Sequence, residues 1–195
     1  MDPERIRAYD ETAPAPDETE TATVALGCFW GPDATFGARE SVVRTRVGYA
    51  GGSTPDPTYH DIGDHSEALQ VDYDPDVVSF ADLVDLAIRN HDPRRQTGKR
   101  QYQNVLFYGS PGERETIETA LGNLAMDAST RVEQLDAFTL AETYHQKYNL
   151  RNKRALLADF EDAGYDDAGI RDSPAAATLN GRIAGHEVAD IAAVQ

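Results

Sequence analysis

The chain has 195 residues, 34 of them acidic and 18 basic, which gives a formal charge of −16 with histidine neutral. This length suits one domain with tails. A single cysteine has no partner within the chain, so a disulfide-stapled fold is excluded. The charge argues against nucleic-acid binding, which draws its affinity from Lys and Arg side chains that neutralise phosphates.

Two further features of composition predict where the protein works. No stretch approaches the ~18 apolar residues of a membrane span, and residues 1–20 lack the apolar core of a signal peptide, so we expect a soluble, cytoplasmic protein. The only lysines are Lys99, Lys147 and Lys153. Few lysines beside an acid excess resemble halophilic archaeal proteins, whose self-repulsion is screened at high salt. An ordinary acidic cytosolic protein is the alternative.

The predicted elements follow one another in the order β, α, β, β, α, β, α. Residues 1–20 are rich in acids and proline, which predicts an acidic disordered tail. Alternating or β-branched runs predict strands, and apolar residues three or four apart predict helices. The strands are expected at 23–26, 41–49, 67–73 and 104–108, and the helices at about 32–39, 80–88 and 111–125. The strand at 67–73 is expected to be half-buried, through Leu69, Val71 and Tyr73.

This order of elements predicts an α+β fold class. It resembles a ferredoxin-like βαββαβ core, a two-layer sandwich, here with extra C-terminal helical segments and long loops. Residues 131–135 are a possible further strand and residues 139–148 a possible short helix. We expect the main domain to span 21–165 and a C-terminal extension to span 166–195.

Cys28 falls where the first strand gives way to the first helix. A cysteine at a helix N-terminus lies near the positive end of the helix dipole and near free backbone N–H groups. Both stabilise the thiolate and lower the pKa of the thiol, so the position predicts a nucleophile. The alternative is an inert core thiol, because Phe29 and Trp30 beside it are large and apolar.

The string Gly27-Cys28-Phe29-Trp30 resembles the motif that opens the first helix of the A-class peptide methionine sulfoxide reductases. Further motifs follow in that family's order, so that the resemblance spans residues 22 to about 150. They are Gly48-Tyr49-Ala50-Gly51-Gly52, Pro57-Thr58-Tyr59, His65-Ser66-Glu67-Ala68, Tyr73-Asp74-Pro75, Asn90-His91-Asp92-Pro93, Gln101-Tyr102 and Tyr144-His145-Gln146-Lys147-Tyr148.

The resemblance implies reduction of methionine-S-sulfoxide, free or protein-bound, within a catalytic domain over 21–165. Cys28 would be the nucleophile and would be left as a sulfenic acid. Glu67 would be the proton donor, which requires a carboxyl group kept protonated near neutral pH by burial. The hydroxyls of Tyr49 and Tyr102 would donate to the sulfoxide oxygen.

The S-methyl pocket implied by the resemblance is walled by Phe29 and Trp30. Each of these candidates has a plainer alternative. Both aromatic residues could be ordinary core, Glu67 could be a solvated acid at a strand edge, and Tyr49 and Tyr102 could be surface aromatics whose hydroxyls meet water.

No metal or other cofactor is expected. The separations of His65, His91 and His145 lack the compact spacing of a zinc site, and a second thiolate is absent. We expect His91 and His145 to be structural hydrogen-bonding residues beside the pocket. With Cys28 alone, an external thiol must attack the sulfenic acid, namely thioredoxin, glutaredoxin or a small thiol. The expected partners are therefore a substrate, either oxidised proteins or free methionine sulfoxide, and a thioredoxin-like reductant. We expect the protein itself to be a monomer.

Two loops depart from the family pattern. Residues 94–100, Arg-Arg-Gln-Thr-Gly-Lys-Arg, lack the aspartate that family members use to order the site, and the loop before Glu67 is shortened. A weakened relative that binds methionine sulfoxide or senses oxidants through Cys28 is therefore an alternative function. A cysteine hydrolase pairing Cys28 with a histidine is the more remote one.

Overall fold

A computed structural model describes residues 2–188. It is a mixed α/β fold built on one six-stranded sheet. The strands are β1 Glu20–Leu26, β2 Val42–Ala50, β3 Ser66–Tyr73, β4 Asn104–Tyr108, β5 Arg131–Gln134 and β6 Phe138–Leu140. The helices are α1 Pro3–Thr12, α2 Trp30–Gly37, α3 Phe80–Arg89, α4 Pro111–Gly122, α5 Tyr148–Arg151, α6 Arg154–Asp162, α7 Asp167–Asp172 and α8 Pro174–Ile183.

The strand order across the sheet is β5-β4-β1-β3-β2-β6. β1 lies antiparallel between β4 and β3, β2 pairs antiparallel with β3, and β5 runs parallel to β4. In the β2–β3 register, Tyr49 lies directly opposite Glu67. Side chains directly opposite each other point to the same face of a sheet, so this register sets two candidate site residues side by side.

The prediction of a half-buried β3 is wrong. Every residue of β3 is buried except Gln70, which is intermediate. Leu69 and Val71 face the main core, and Ala68 on the opposite face joins a second apolar cluster with Val105 and Phe107. Both faces of β3 are covered because an apolar cluster packs on each of them, and the buried set includes Glu67.

The predicted helices at 80–88 and 111–125 correspond to α3 and α4. α3 begins with the expected capping box, in which the Ser79 side chain accepts from the backbone N–H of Asp82 and the Asp82 side chain accepts from the backbone N–H of Ser79. The possible short helix at 139–148 is wrong. Residues 138–140 form β6 against the edge of β2, and a single 3-10 turn, Thr143–His145, follows.

The prediction of a disordered tail over 1–20 is also wrong for the described residues. Residues 3–12 form α1, whose Ile6 is completely buried. Asp10 accepts hydrogen bonds from the Tyr165 hydroxyl at 2.8 Å and from the backbone N–H of Ala175 at 2.7 Å. α1 therefore depends on contacts with residues more than 150 positions away, which a local composition cannot indicate.

The C-terminal helices form a third apolar cluster, which includes Ile6 of α1, and α8 packs against α2. The two helices approach closely: a Cβ added at Gly37 would lie 2.6 Å from the carbonyl oxygen of Ala177, and one at Gly181 would lie 2.6 Å from that of Ala34. α8 thus supports the helix that follows Cys28. Residues 189–195 of the predicted extension lie outside the described residues. None of the helices within residues 2–188 is long and apolar enough to cross a membrane.

Candidate active site

Cys28 lies in the turn between β1 and α2, as predicted. The turn depends on Gly27, whose φ of +77° is strained for residues with a Cβ. Cys28 is exposed to solvent, whereas Phe29, its neighbour, is buried. The inert core thiol considered above is therefore excluded, and the sulfur is accessible to a ligand.

Glu67 is 1% exposed and faces this turn. Its Oε2 accepts from the backbone N–H of Phe29 at 3.1 Å, and its Oε1 accepts from Nε2 of Gln101 at 2.6 Å. The Cys28 side chain, one residue before Phe29, also interacts with this carboxylate, and each of the two groups shifts the pKa of the other. Burial raises the pKa of Glu67, although the hydrogen bonds from Gln101 and Phe29 oppose the shift. Burial of a carboxyl group favours its protonated form, and the solvated-acid alternative is excluded because Glu67 is buried.

The pKa of Cys28 is raised, opposite to the sequence-based expectation. Partial burial of the thiol is the largest cause, and the neighbouring Glu67 carboxylate adds to it by its charge and by accepting the thiol proton. The backbone N–H of Trp30 opposes the shift but does not overcome it. Glu67 thus favours the protonated thiol, and the thiol in turn favours the ionised carboxylate by lowering the pKa of Glu67.

Tyr49 is completely buried, and its hydroxyl donates to Oε2 of Glu142 at 2.7 Å. Burial and the Glu142 carboxylate both raise the pKa of Tyr49 far above its usual range. The surface position considered for Tyr49 is therefore wrong. The Tyr49 hydroxyl therefore keeps its proton and can donate it in a hydrogen bond. Tyr49 lies opposite Glu67 on the neighbouring strand.

Tyr102 ends a 3-10 turn, Arg100–Tyr102, that precedes β4. Burial raises the pKa of Tyr102 to about 12, with further contributions from the charge of Glu67 and from a hydrogen bond with the Tyr59 side chain. Lys99 Nζ lies 4.6 Å from the centre of the Tyr102 ring. Tyr102 therefore adjoins the Cys28–Glu67 pair, and the cationic side chain of Lys99 lies beside it.

Phe29 and Trp30 stand in one aromatic cluster with residues from the far end of the sequence. The rings of Trp30 and Tyr148 stack at 3.7 Å with an 8° interplanar angle. The Phe29 ring lies 6.2 Å from Tyr49 and 5.1 Å from His145. The predicted apolar wall is present beside the exposed thiol, and Tyr148 is an additional member of it.

Two residues at this site escape sequence reasoning. Glu142 accepts from the Tyr49 hydroxyl and, through Oε1, from the backbone N–H of Tyr59 at 2.9 Å. Gln101 binds Glu67. Gln101 lies in a motif already singled out for Tyr102, so its position was a usable signal. Glu142 was one acid among 34, and only the fold pairs it with Tyr49.

The histidines divide into two kinds. His91 is a structural residue, bonded at 2.7 Å both to the carbonyl oxygen of Ala87 and to the hydroxyl of Thr130. His65 bonds the backbone of Gly52 and Thr54. His145 differs: it is 2% exposed, and neither ring nitrogen has a hydrogen-bond partner within residues 2–188, so the expected structural hydrogen bonds are missing there. No cluster of three metal-ligating side chains occurs in that range.

Comparison with known proteins places this geometry among known enzymes. The family model for peptide methionine sulfoxide reductase matches residues 20–166. The peptide methionine sulfoxide reductase of Drosophila melanogaster is 38% identical over 85% of this chain and 68% of its own length. That of Methanothermobacter thermautotrophicus is 38% identical over 69% of this chain and 89% of its own. The structure of methionine sulfoxide reductase A of Corynebacterium diphtheriae superposes with a TM-score of 0.62, at 33% identity, over 71% of this chain and 77% of that one.

Proposed function

The chain belongs to the peptide methionine sulfoxide reductase family, and from this premise we propose that Cys28 reduces methionine-S-sulfoxide to methionine with Glu67 as its proton donor. The observation that carries the proposal is that Glu67, a buried carboxylate of raised pKa, is hydrogen-bonded to the backbone of Phe29, the residue next to the exposed Cys28. Other cysteine enzymes pair the thiol with a base; here the partner is an acid of raised pKa.

The thiol proton supplies what sulfoxide reduction needs. Movement of the proton from Cys28 Sγ to Glu67 yields a thiolate and a carboxylic acid together. The thiolate attacks the sulfoxide sulfur while Glu67 protonates the sulfoxide oxygen. Oxygen passes to Cys28 as the sulfenic acid when methionine leaves, so that a thiol and a sulfoxide become a sulfenic acid and a thioether.

The remaining site residues support this step. Tyr49 and Tyr102, whose raised pKa values keep their protons in place, are proposed to donate to the oxygen as it gains negative charge. Phe29 and the stacked Trp30–Tyr148 pair offer an apolar surface to the S-methyl group. The S epimer would direct its oxygen to the hydroxyls and its methyl group to the rings, and the R epimer would exchange the two.

We infer that an external thiol completes the cycle, because Cys28 is the one cysteine of this chain. The exposure of Cys28 allows another molecule to reach the sulfenic acid. Thioredoxin, glutaredoxin or a small thiol would attack it to form a mixed disulfide, which a second thiol then reduces. A cytoplasmic setting, where such thiols are kept reduced, is consistent with this cycle.

We also infer a ferredoxin-like core for the fold. The inner strand order β4-β1-β3-β2 is antiparallel throughout, with α2 between β1 and β2 and α3 between β3 and β4. In that arrangement the start of α2 lies at the end of a central strand, which is where Cys28 is found.

The test is turnover of each sulfoxide epimer, free and within a peptide, with dithiothreitol as reductant. We expect the wild-type protein to consume the S epimer and the Cys28→Ser variant to consume neither. Reduction of the R epimer alone, or turnover that persists in Cys28→Ser, would contradict the proposal. Formation of one equivalent of sulfenic acid without recycling would instead support the oxidant-sensing alternative.

A further inference from the structure

His145 is a buried histidine whose ring nitrogens make no hydrogen bond to any of the described residues. Both ring nitrogens are sealed from solvent and lack partners among residues 2–188. An unpaired buried polar group typically costs about 1–3 kcal/mol, so such a group calls for an explanation. Burial lowers the pKa of His145, although Glu142 opposes the shift. Burial therefore favours the neutral ring, whose one N–H has no acceptor among the described residues.

The nearest acceptor is the carboxylate that binds Tyr49. Nε2 of His145 lies 3.9 Å from Oε2 of Glu142, about 1 Å beyond hydrogen-bond distance. That oxygen accepts the Tyr49 hydroxyl at 2.7 Å. Glu142 Oε1 is already bonded to the backbone of Tyr59, which fixes the orientation of the carboxylate. His145 and Tyr49 therefore approach the same carboxylate oxygen.

The hydroxyl of Tyr49 has a single proton, and in this structure Glu142 accepts it. The same proton cannot be donated fully to a sulfoxide oxygen. A role for Tyr49 in binding that oxygen therefore requires the hydroxyl to turn away from Glu142. The turn would remove a charge-assisted hydrogen bond from a partly buried carboxylate, which is costly unless another donor replaces it.

We propose that Glu142 and His145 are positioning residues in a hydrogen-bond exchange: when a sulfoxide binds, Tyr49 donates to its oxygen, and His145 Nε2–H replaces Tyr49 on Glu142. No covalent bond changes and no proton leaves its residue. The exchange gives a role to a buried imidazole whose nitrogens have no hydrogen-bond partner within residues 2–188. The inference rests on the proposed function, because it takes the sulfoxide oxygen as the ligand of Tyr49.

The surroundings of His145 permit the movement. The ring is enclosed by aromatic rings, with centres at 4.7 Å for Tyr59, 5.1 Å for Phe29 and 4.2 Å for Tyr144. Tyr144 is 53% exposed and precedes His145 in the same 3-10 turn. A shift of about 1 Å would bring Nε2 within hydrogen-bond distance of Glu142, and the exposed Tyr144 ring is the neighbour least held by packing.

The kinetic test uses His145→Phe, which keeps a ring but removes both nitrogens, and His145→Gln, which restores an N–H donor. We expect His145→Phe to lower kcat/KM about tenfold, the equivalent of one hydrogen bond, and His145→Gln to recover most of the loss. In a Tyr49→Phe background, which has no hydroxyl to exchange, His145→Phe should cost less than twofold. A merely structural role predicts the same tenfold loss in both backgrounds, and that result would overturn the proposal.

A spectroscopic test does not depend on turnover. The full chain carrying Cys28→Ser is labelled with ¹⁵N, and the His145 ring signals are recorded with methionine-S-sulfoxide and with methionine. We expect the Nε2 signal to move with the sulfoxide only, because methionine lacks the oxygen that draws Tyr49 away. Equal spectra with both ligands would overturn the exchange. Absence of wild-type turnover together with a sulfoxide-specific shift would instead refute the proposed activity and leave the exchange intact.

Discussion

Replacement of Glu67 by glutamine should have opposite effects on two reactions of the same thiol. Glutamine cannot protonate the sulfoxide oxygen, and general acid catalysis typically contributes about 10²–10⁴ in rate. Glu67 is 1% exposed and is hydrogen-bonded to the backbone N–H of the residue after Cys28, so bulk water is poorly placed to substitute for it. We therefore expect a loss in the upper part of that range, about 10³–10⁴-fold, or ~4–5.5 kcal/mol in the barrier.

The same substitution should make Cys28 easier to ionise. The Glu67 carboxylate raises the pKa of the thiol by its charge and by accepting the thiol proton, and a neutral amide removes both effects. Alkylation by iodoacetamide, which needs only the thiolate, should therefore reach half-maximal rate at a lower pH in Glu67→Gln. Gln101 can flip its amide to bind the new side chain, so the fold should be retained.

The assays are reduction of methionine-S-sulfoxide with dithiothreitol and the pH dependence of alkylation, measured on the same preparation. Glu115→Gln, at an exposed acid on α4, is the matched control and should change neither. Reduction within tenfold of wild type would show that Glu67 is not the proton donor. Alkylation shifted to higher pH would show that the carboxylate helps the thiol to ionise, contrary to the geometry.

Two further predictions concern buried or partnered charges. The charge of Lys99 opposes the rise in the pKa of Glu67, so Lys99→Gln should raise that pKa further. Because the proposed reduction needs protonated Glu67, activity should then extend to higher pH. Lys153→Gln, at an exposed lysine, is the control, and an unchanged pH profile in Lys99→Gln would contradict the role of Glu67 as proton donor. Lys147 and Asp33 are both 0% exposed and 3.6 Å apart, so Lys147→Met should lower the free energy of unfolding in urea by about 3–5 kcal/mol. The double variant Lys147→Met with Asp33→Asn should recover part of this stability. A loss below about 1 kcal/mol in Lys147→Met alone would show that the buried ion pair does not stabilise the fold.

Sequence patterns located the elements whose signals are local. The capping box at Ser79 and Asp82 marked the start of α3, and glycine after a β-prone run marked the turn that holds Cys28. These signals depend on residues within one turn of each other, so they hold in any fold. The family resemblance then linked Cys28 to Glu67, residues that composition and periodicity alone could not connect.

What the sequence could not supply are features set by distant partners. Ile6 is buried only because α1 meets α8, and Tyr49 meets Glu142 across 93 positions. The pKa of Cys28 was predicted in the wrong direction for the same reason. The helix N-terminus is a local property, whereas the burial that outweighs it, and the Glu67 carboxylate from β3 that adds to the rise, are set by tertiary structure.

The placement of Glu67 beside Cys28 depends on a short part of the chain. Glu67 accepts the backbone N–H of Phe29, the residue that follows Cys28, so one hydrogen bond joins β3 to the turn that holds the thiol. Glu67 is in turn opposite Tyr49 in the β2–β3 register. A slip of one residue would move either side chain to the other face of the sheet. Backbone pairing, rather than flexible side chains, therefore aligns the thiol, the acid and the hydroxyl, which explains why Glu67 tolerates burial: its partners are in place before any substrate arrives.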